Sequence, residues 1–151
     1  MADELPPEFI RLARRVVREE KPDALLIGEV WEDASHKVSY GQRRAYLLGR
    51  ELDGVMNYPL WEAVLAFLQG GDALEFRADM EEILEHYPPR ARWACMNLLG
   101  SHDTPRILTL LGCANPPEKR DDRAAYRLTG AERARGKALL RLAAAILYAW
   151  P

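Results

Sequence analysis

Cysteine is scarce in this chain: Cys95 and Cys113 are the only two among 151 residues. They form no CxxC pair and no metal-ligand cluster, and two thiols are too few for a disulfide scaffold. Both read as free thiols, which fits a reducing, cytoplasmic setting. Charge of one sign is also lacking, because 21 Lys and Arg stand against 23 Asp and Glu for a formal net charge of −2. A general nucleic-acid binder needs a basic surplus to neutralise phosphates, so nucleic acid is excluded as a partner. No apolar run approaches the ~20 residues of a membrane span. The opening MADELPPEF is acidic where a signal peptide is basic and then apolar, so no membrane partner is expected. Internal repeats and low-complexity tracts are missing as well. What remains is 48% apolar and 29% charged, the composition of one ordinary globular domain.

Along the chain, helical segments alternate with short apolar runs, the pattern of an α/β protein. Residues 5–20 carry Leu5, Phe9, Leu12, Ala13, Val16 and Val17 as a stripe at helical spacing, started by Pro6-Pro7 and ended by Pro22. Ala24 to Gly28 reads as a strand buried on both faces. Residues 32–52 are polar and irregular, with a short helix expected around Arg43–Leu48. Gly54 to Asn57 is bounded like a second strand, and Pro59 opens a helix that Gly70-Gly71 closes. Asp72 with Glu75 resembles a capping box, for a helix with Phe76, Met80, Ile83, Leu84 and Tyr87 inward and Pro88-Pro89 as its stop. Cys95 to Leu99 reads as a third strand, with a helix near Pro105–Leu111 and a Pro- and charge-rich loop to about Leu128. Thr129 with Glu132 caps a last helix. Right-handed crossovers make the three strands parallel, and parallel strands place function at their C-terminal ends.

Polar residues stand at each of those ends: Glu29-Val30-Trp31, Asn57-Tyr58 and Ser101-His102-Asp103. A carboxylate directly after a buried strand is costly unless something pairs with it, so each is either catalytic or a hydrogen-bonded structural acid. Two acids facing one pocket suit glycoside hydrolysis, one donating a proton and the other supporting oxocarbenium charge. Trp31 and Tyr58 are of a type that stacks on sugar rings, though ordinary packing accounts for them equally. Asp3 and Glu4 read as helix-start charges, Asp121-Asp122 with the arginines around them as a solvated loop with calcium binding as a remote alternative, and His36 and His86 carry no assigned role.

Two segments, Gly28-Glu29-Val30-Trp31 and Asn97-Leu98-Leu99-Gly100-Ser101-His102-Asp103-Thr104, resemble signature regions of the α-amylase superfamily, glycoside hydrolase family 13. Between them, Asp53-Gly54-Val55-Met56-Asn57-Tyr58-Pro59 is similar to the neopullulanase, cyclomaltodextrinase and maltogenic amylase branch. The resemblance covers essentially the whole chain. It implies a retaining α-glycosidase on a TIM (β/α)8 barrel, a fold of about 250 residues when complete. Residues 1–151 then form a single partial barrel, from the helix after strand four through strands five to seven to the helix before strand eight.

On this resemblance Glu29 matches the general acid/base, and Asp103 the second carboxylate that holds substrate hydroxyls and stabilises the transition state. His102 matches the histidine that contacts the sugar, Val30 and Trp31 line the leaving-group side, and Tyr58 joins the substrate-binding set. The implied substrates are α-1,4 and also α-1,6 glucosidic linkages in maltooligosaccharides, cyclodextrins or pullulan. No cofactor is implied, calcium being an option for the full-length enzyme only. The family's nucleophile is the Asp of an Arg-x-Asp segment ending strand four, and Met1 stands where the residue after it would be. Pro151 stands where the family continues into strand eight. The expectation is an internal slice of an enzyme, inactive alone. The competing expectation is a non-catalytic, self-associating or degenerate amylase-like domain. In either case a three-strand slice leaves open edges and sheet faces around Leu26, Val55 and Leu98, so a homo-oligomer is expected.

Overall fold

The computed structural model describes residues 2–150, with Arg120 described in its backbone alone. Met1 and Pro151, which mark the limits of the expected slice, lie outside the described residues. Two compact units divide the chain: one holds the residues up to Leu60 together with Arg77–Asn97, the other Trp61–Phe76 with Leu98–Trp150.

In the first unit a 3-10 turn at Ala2–Glu4 leads into helix α1 (Pro7–Glu20), which begins on Pro and breaks before Pro22 as expected. Strand β1 (Ile27–Gly28) pairs in parallel with β4 (Gly54–Val55), in the register Ile27 to Gly54 and Gly28 to Val55. A parallel bridge between Met56 and Met96 extends the sheet by one place. The order and direction of the three runs are those expected. Their length is not, because the Cys95–Leu99 run contributes only this bridge.

Residues 32–52 hold a hairpin, β2 (Val38–Ser39) and β3 (Gln42–Arg43), in place of the expected short helix. Its two turn residues, Tyr40 and Gly41, both have positive φ (52° and 73°), the requirement of a tight primed hairpin turn. Tyr40 adopts that unfavourable conformation while its hydroxyl donates to Glu4 at 2.7 Å.

Helix α1 meets its unit through charge. Among its apolar residues only Ile10 is buried, while Leu5 just before it and Phe9, Leu12 and Val16 on the expected stripe are exposed. Arg11, Arg14 and Arg18, at i, i+3 and i+7, reach Glu51 at 2.9 Å and Asp53 at 2.8 and 2.7 Å. Asp53 also accepts the Leu26 N–H at 2.8 Å, which fixes the entry to β1. Burial pushes the Asp53 carboxyl up, but Arg14, the Leu26 N–H and Arg18 outweigh it and hold the group below its ordinary value. Asp3 is buried too. It accepts the Tyr46 hydroxyl at 2.7 Å and faces Lys37 at 3.5 Å, so it anchors the chain rather than charging a helix start.

Helix α2 (Tyr58–Leu68) starts on Asn57, whose side-chain oxygen accepts the Leu60 N–H at 3.3 Å as a cap. Helix α3 (Ala73–His86) starts on Asp72, which accepts the Leu74 and Glu75 N–H groups at 2.7 and 3.3 Å. On α3 Ile83 is buried as expected, but Leu84 is exposed. Pro88-Pro89 ends α3 and at once begins α4 (Pro89–Ala94), because Pro suits a first helical turn as well as a stop. Sheet burial differs from expectation: Leu25 and Ile27 are exposed, whereas Val55 and Leu98 are buried.

The second unit is helical. It contains α5 (Ile107–Gly112), α6 (Arg120–Ala125) inside the expected loop, and α7 (Gly130–Ala149). The capping box on α7 forms: Glu132 accepts the Thr129 N–H at 2.8 Å, and the Thr129 hydroxyl accepts the Glu132 N–H at 3.3 Å. The Thr129 backbone, then the Tyr126 and Thr129 hydroxyls, bring Glu132 down to about 2. Helices α5 and α7 cross backbone to backbone, since a Cβ on Gly112 would lie 2.5 Å from the Glu132 carbonyl oxygen and one on Gly136 2.8 Å from that of Leu108.

Candidate active site

At the end of β1 the chain runs Glu29, Val30, Trp31, and at the end of β4 it runs Asn57, Tyr58. Main-chain bonds lock the two ends together: the Met56 N–H donates to the Gly28 carbonyl, the Asn57 N–H to that of Met96, and the Ala2 N–H to that of Glu29, each at 2.9 Å. The Asn57 side-chain amide donates to the Asn97 side-chain oxygen at 2.9 Å. Asn57 is thus buried, caps α2, and ties the second run to the third.

These strand ends bring Trp31 and Tyr58 together, their rings stacked with centroids 4.0 Å apart and planes 11° from parallel. Tyr58 and Val30 are both 0% exposed, and Trp31 is half-buried. Of this cluster, Trp31 and the half-buried Glu29 reach solvent. Glu29 also borders an apolar cleft of about 300 Å3 with Leu5, Phe9, Leu26 and Leu52.

In the other unit His102 and Asp103 sit side by side and exposed, Nε2 to Oδ2 3.2 Å. A tight turn presents them: the Ser101 N–H donates to the Thr104 hydroxyl oxygen at 2.7 Å, and the Asp103 N–H to that of Ser101 at 3.2 Å. They border a polar groove of about 470 Å3 with Arg106, Thr109 and Arg123. A carboxylate, an imidazole and two guanidinium groups around one groove can bind a polyhydroxylated ligand by several charge-assisted hydrogen bonds. The Trp61 indole N–H donates to the Leu99 carbonyl at 3.2 Å, which holds the approach to this turn.

Sequence reasoning passed over two features. Asn57 and Asn97 stand within the segments that it quoted, but neither marks itself locally as half of a bonded pair. Asp33, His36 and His86 converge although the last lies 50 residues after the second, and only the Asp-x-x-His spacing was visible beforehand.

Residues 5–135 match the family described as alpha amylase, catalytic domain. The chain belongs to the alpha-amylase family. It is 41% identical over 114 residues to a cyclomaltodextrinase of Geobacillus thermopakistaniensis (strain MAS1), an alignment covering 74% of this chain and 18% of that protein. It is 40% identical over 114 residues to neopullulanase 2 of Thermoactinomyces vulgaris, again 74% of this chain and 18% of the relative. Among solved structures, one of a cyclomaltodextrinase superposes with a TM-score of 0.64 at 28% identity, covering 96% of this chain and 29% of that one. The chain thus spans about a fifth of the length of the curated relatives that it matches. Its parallel strand pairing with accompanying helices is part of the family's (β/α)8 barrel, and the described residues form no closed barrel. Among the described residues no helix is long and apolar enough to cross a membrane.

Proposed function

We propose that residues 1–151 are one partial-barrel unit of a retaining α-glycosidase, supplying its general acid/base, Glu29, and its second carboxylate, Asp103. The observation that carries this reading is the Glu29-Val30-Trp31 segment at the C-terminal end of β1, with Trp31 stacked on Tyr58, which opens α2 just after β4. Names of the relatives, cyclomaltodextrinase and neopullulanase, support α-glucans as the substrate class. The linkages proposed are α-1,4 and α-1,6, in maltooligosaccharides, cyclodextrins or pullulan.

In this mechanism the Glu29 carboxyl protonates the departing glycosidic oxygen, and its carboxylate then deprotonates the water that resolves the covalent intermediate. Asp103 and His102 hold sugar hydroxyls as charge develops at the anomeric carbon. Trp31 offers a flat apolar face on the leaving-group side, with Tyr58 stacked on it and Val30 fully buried in the chain between Glu29 and Trp31. The nucleophilic carboxylate comes from outside residues 1–151, so these residues alone give no turnover. The free thiols Cys95 and Cys113 fit a reducing, cytoplasmic setting.

The test uses the complete enzyme that contains this stretch. Glu29→Gln should lower kcat on pullulan or cyclodextrin by about 10²- to 10⁴-fold, the usual worth of a positioned proton donor. It should leave KM within a few fold. Glycosyl fluorides, which need no protonation to leave, should recover most of the lost glycosylation rate. An equal loss on fluoride and on pullulan would remove Glu29 from the acid role.

A further inference from the structure

Beside β1, in the unit that holds Glu29, three metal-ligating groups meet. We propose that Asp33, His36 and His86 bind a divalent transition-metal ion, best matched by zinc, which clips the loop after Trp31 to the end of α3.

Their ligand atoms all lie within 4.8 Å of one another. Asp33 Oδ2 is 2.5 Å from His86 Nδ1 and 3.4 Å from His36 Nδ1. The two imidazoles meet edge to face, centroids 5.0 Å apart at 84°. A tetrahedral ion with bonds of about 2.0–2.1 Å needs its donor atoms about 3.3 Å apart. Asp33 and His36 already stand at that separation, and Asp33 and His86 need to open by about 0.8 Å to admit the ion. Glu82, one turn before His86, brings Oε1 to 3.7 Å from His86 Nδ1 but stands outside the three-residue cluster, which leaves the remaining position to water.

The frame is built and not merely crowded. The other Asp33 oxygen, Oδ1, accepts the Ser35 N–H at 2.8 Å, which leaves Oδ2 for the site. The Ser35 hydroxyl lies 2.7 Å from His36 Nδ1 and turns away when that nitrogen takes the ion. The Ala34 N–H donates to the Tyr87 hydroxyl at 3.1 Å, with both residues buried. Loop and helix end are thus held at a fixed distance whether or not the imidazoles take part. Two imidazoles and one carboxylate form a borderline donor set, which suits zinc better than calcium or magnesium.

Zinc chloride titrated into the untagged protein by calorimetry should give a saturable one-to-one isotherm in the micromolar range. Cobalt in its place should produce the intense visible absorption of a four-coordinate site. His36→Gln and His86→Gln, which keep side-chain size and a polar tip, should each weaken zinc by roughly tenfold or more, since even supporting groups around a metal cost that much. At one zinc concentration the Tm of the parent should rise clearly more than that of either variant, and circular dichroism identifies any variant that has not folded. His102→Gln should bind zinc as the parent does. Absence of the cobalt band in the parent, or zinc binding that survives both substitutions or disappears with His102→Gln, would overturn the assignment.

Discussion

The indole of Trp31 lies flat on the ring of Tyr58, 4.0 Å between centroids, and of the two only Trp31 reaches solvent. One aromatic residue at the end of β1 is therefore oriented by another at the end of β4. Parallel pairing of the two strands brings their C-terminal ends together. Under the proposed function, Tyr58 is a positioning residue for the ring face that Trp31 would offer to a sugar. In the complete enzyme Tyr58→Phe keeps the ring stack and should raise KM less than Tyr58→Leu does. Tyr58→Leu forfeits an aromatic pair worth about 0.5–1.5 kcal/mol, which corresponds to a rise in KM of about two- to tenfold. Trp31→Ala should raise KM further. Steady-state kinetics on maltooligosaccharides of increasing length would check the order.

Asp53 makes folding stability depend on acid. Its carboxyl lies below the unfolded value near 3.8, so its contribution is fully present above that pH and fades as pH falls through the lower, folded value. Asp53→Asn should cost roughly 1.5–3 kcal/mol near neutral pH, the usual worth of hydrogen bonds to a charged group. The gap between parent and variant should narrow below about pH 4. Thermal melts of both proteins across that range measure it. A gap that stays constant would show that the arginines do not hold the carboxylate ionised.

Gly136→Ala sets two effects against each other. Alanine gains about 1 kcal/mol over glycine inside a helix. Its methyl would meet the Leu108 carbonyl oxygen at 2.8 Å, and backbone cannot step aside as a flexible side chain does. The clash should win, with a net loss of about 1–3 kcal/mol as α5 and α7 are forced apart. Gly130→Ala is the control, having nothing within 4 Å of its added carbon, and should not destabilise. Chemical denaturation of both variants decides the sign.

Residues 1–151 expressed alone should self-associate. Leu5, Phe9, Leu12 and Val16 along α1, with Leu25 and Ile27 at the sheet, are exposed. At roughly 25 cal/mol per Å2, a few hundred Å2 of such surface rivals the whole stability of a small domain. Light scattering at micromolar concentration should show a dimer or larger species, and Phe9→Glu with Val16→Glu should reduce it. A monodisperse monomer with a cooperative melt would refute this.

Local chemistry determined what the sequence could show by itself. Prolines and glycines set helix ends, Thr129 with Glu132 wrote its own capping box, and the handedness of crossovers fixed parallel strands in the order observed. Motifs at the strand ends marked Glu29, Trp31, Tyr58, His102 and Asp103 as candidates because those segments are contiguous and resemble the family's signature regions. Tertiary structure decided everything that needed a partner distant in the chain. The arginines of α1 became its docking face only because the buried Glu51 and the half-buried Asp53 came to lie beneath them. Asp3 left solvent because Tyr46 and Lys37, 43 and 34 residues later, came to meet it. The third strand shrank to a single bridge, and Trp31 found Tyr58. A hydrogen bond or ring stack across such separations depends on loop closure and packing, which have no local period for the sequence to display.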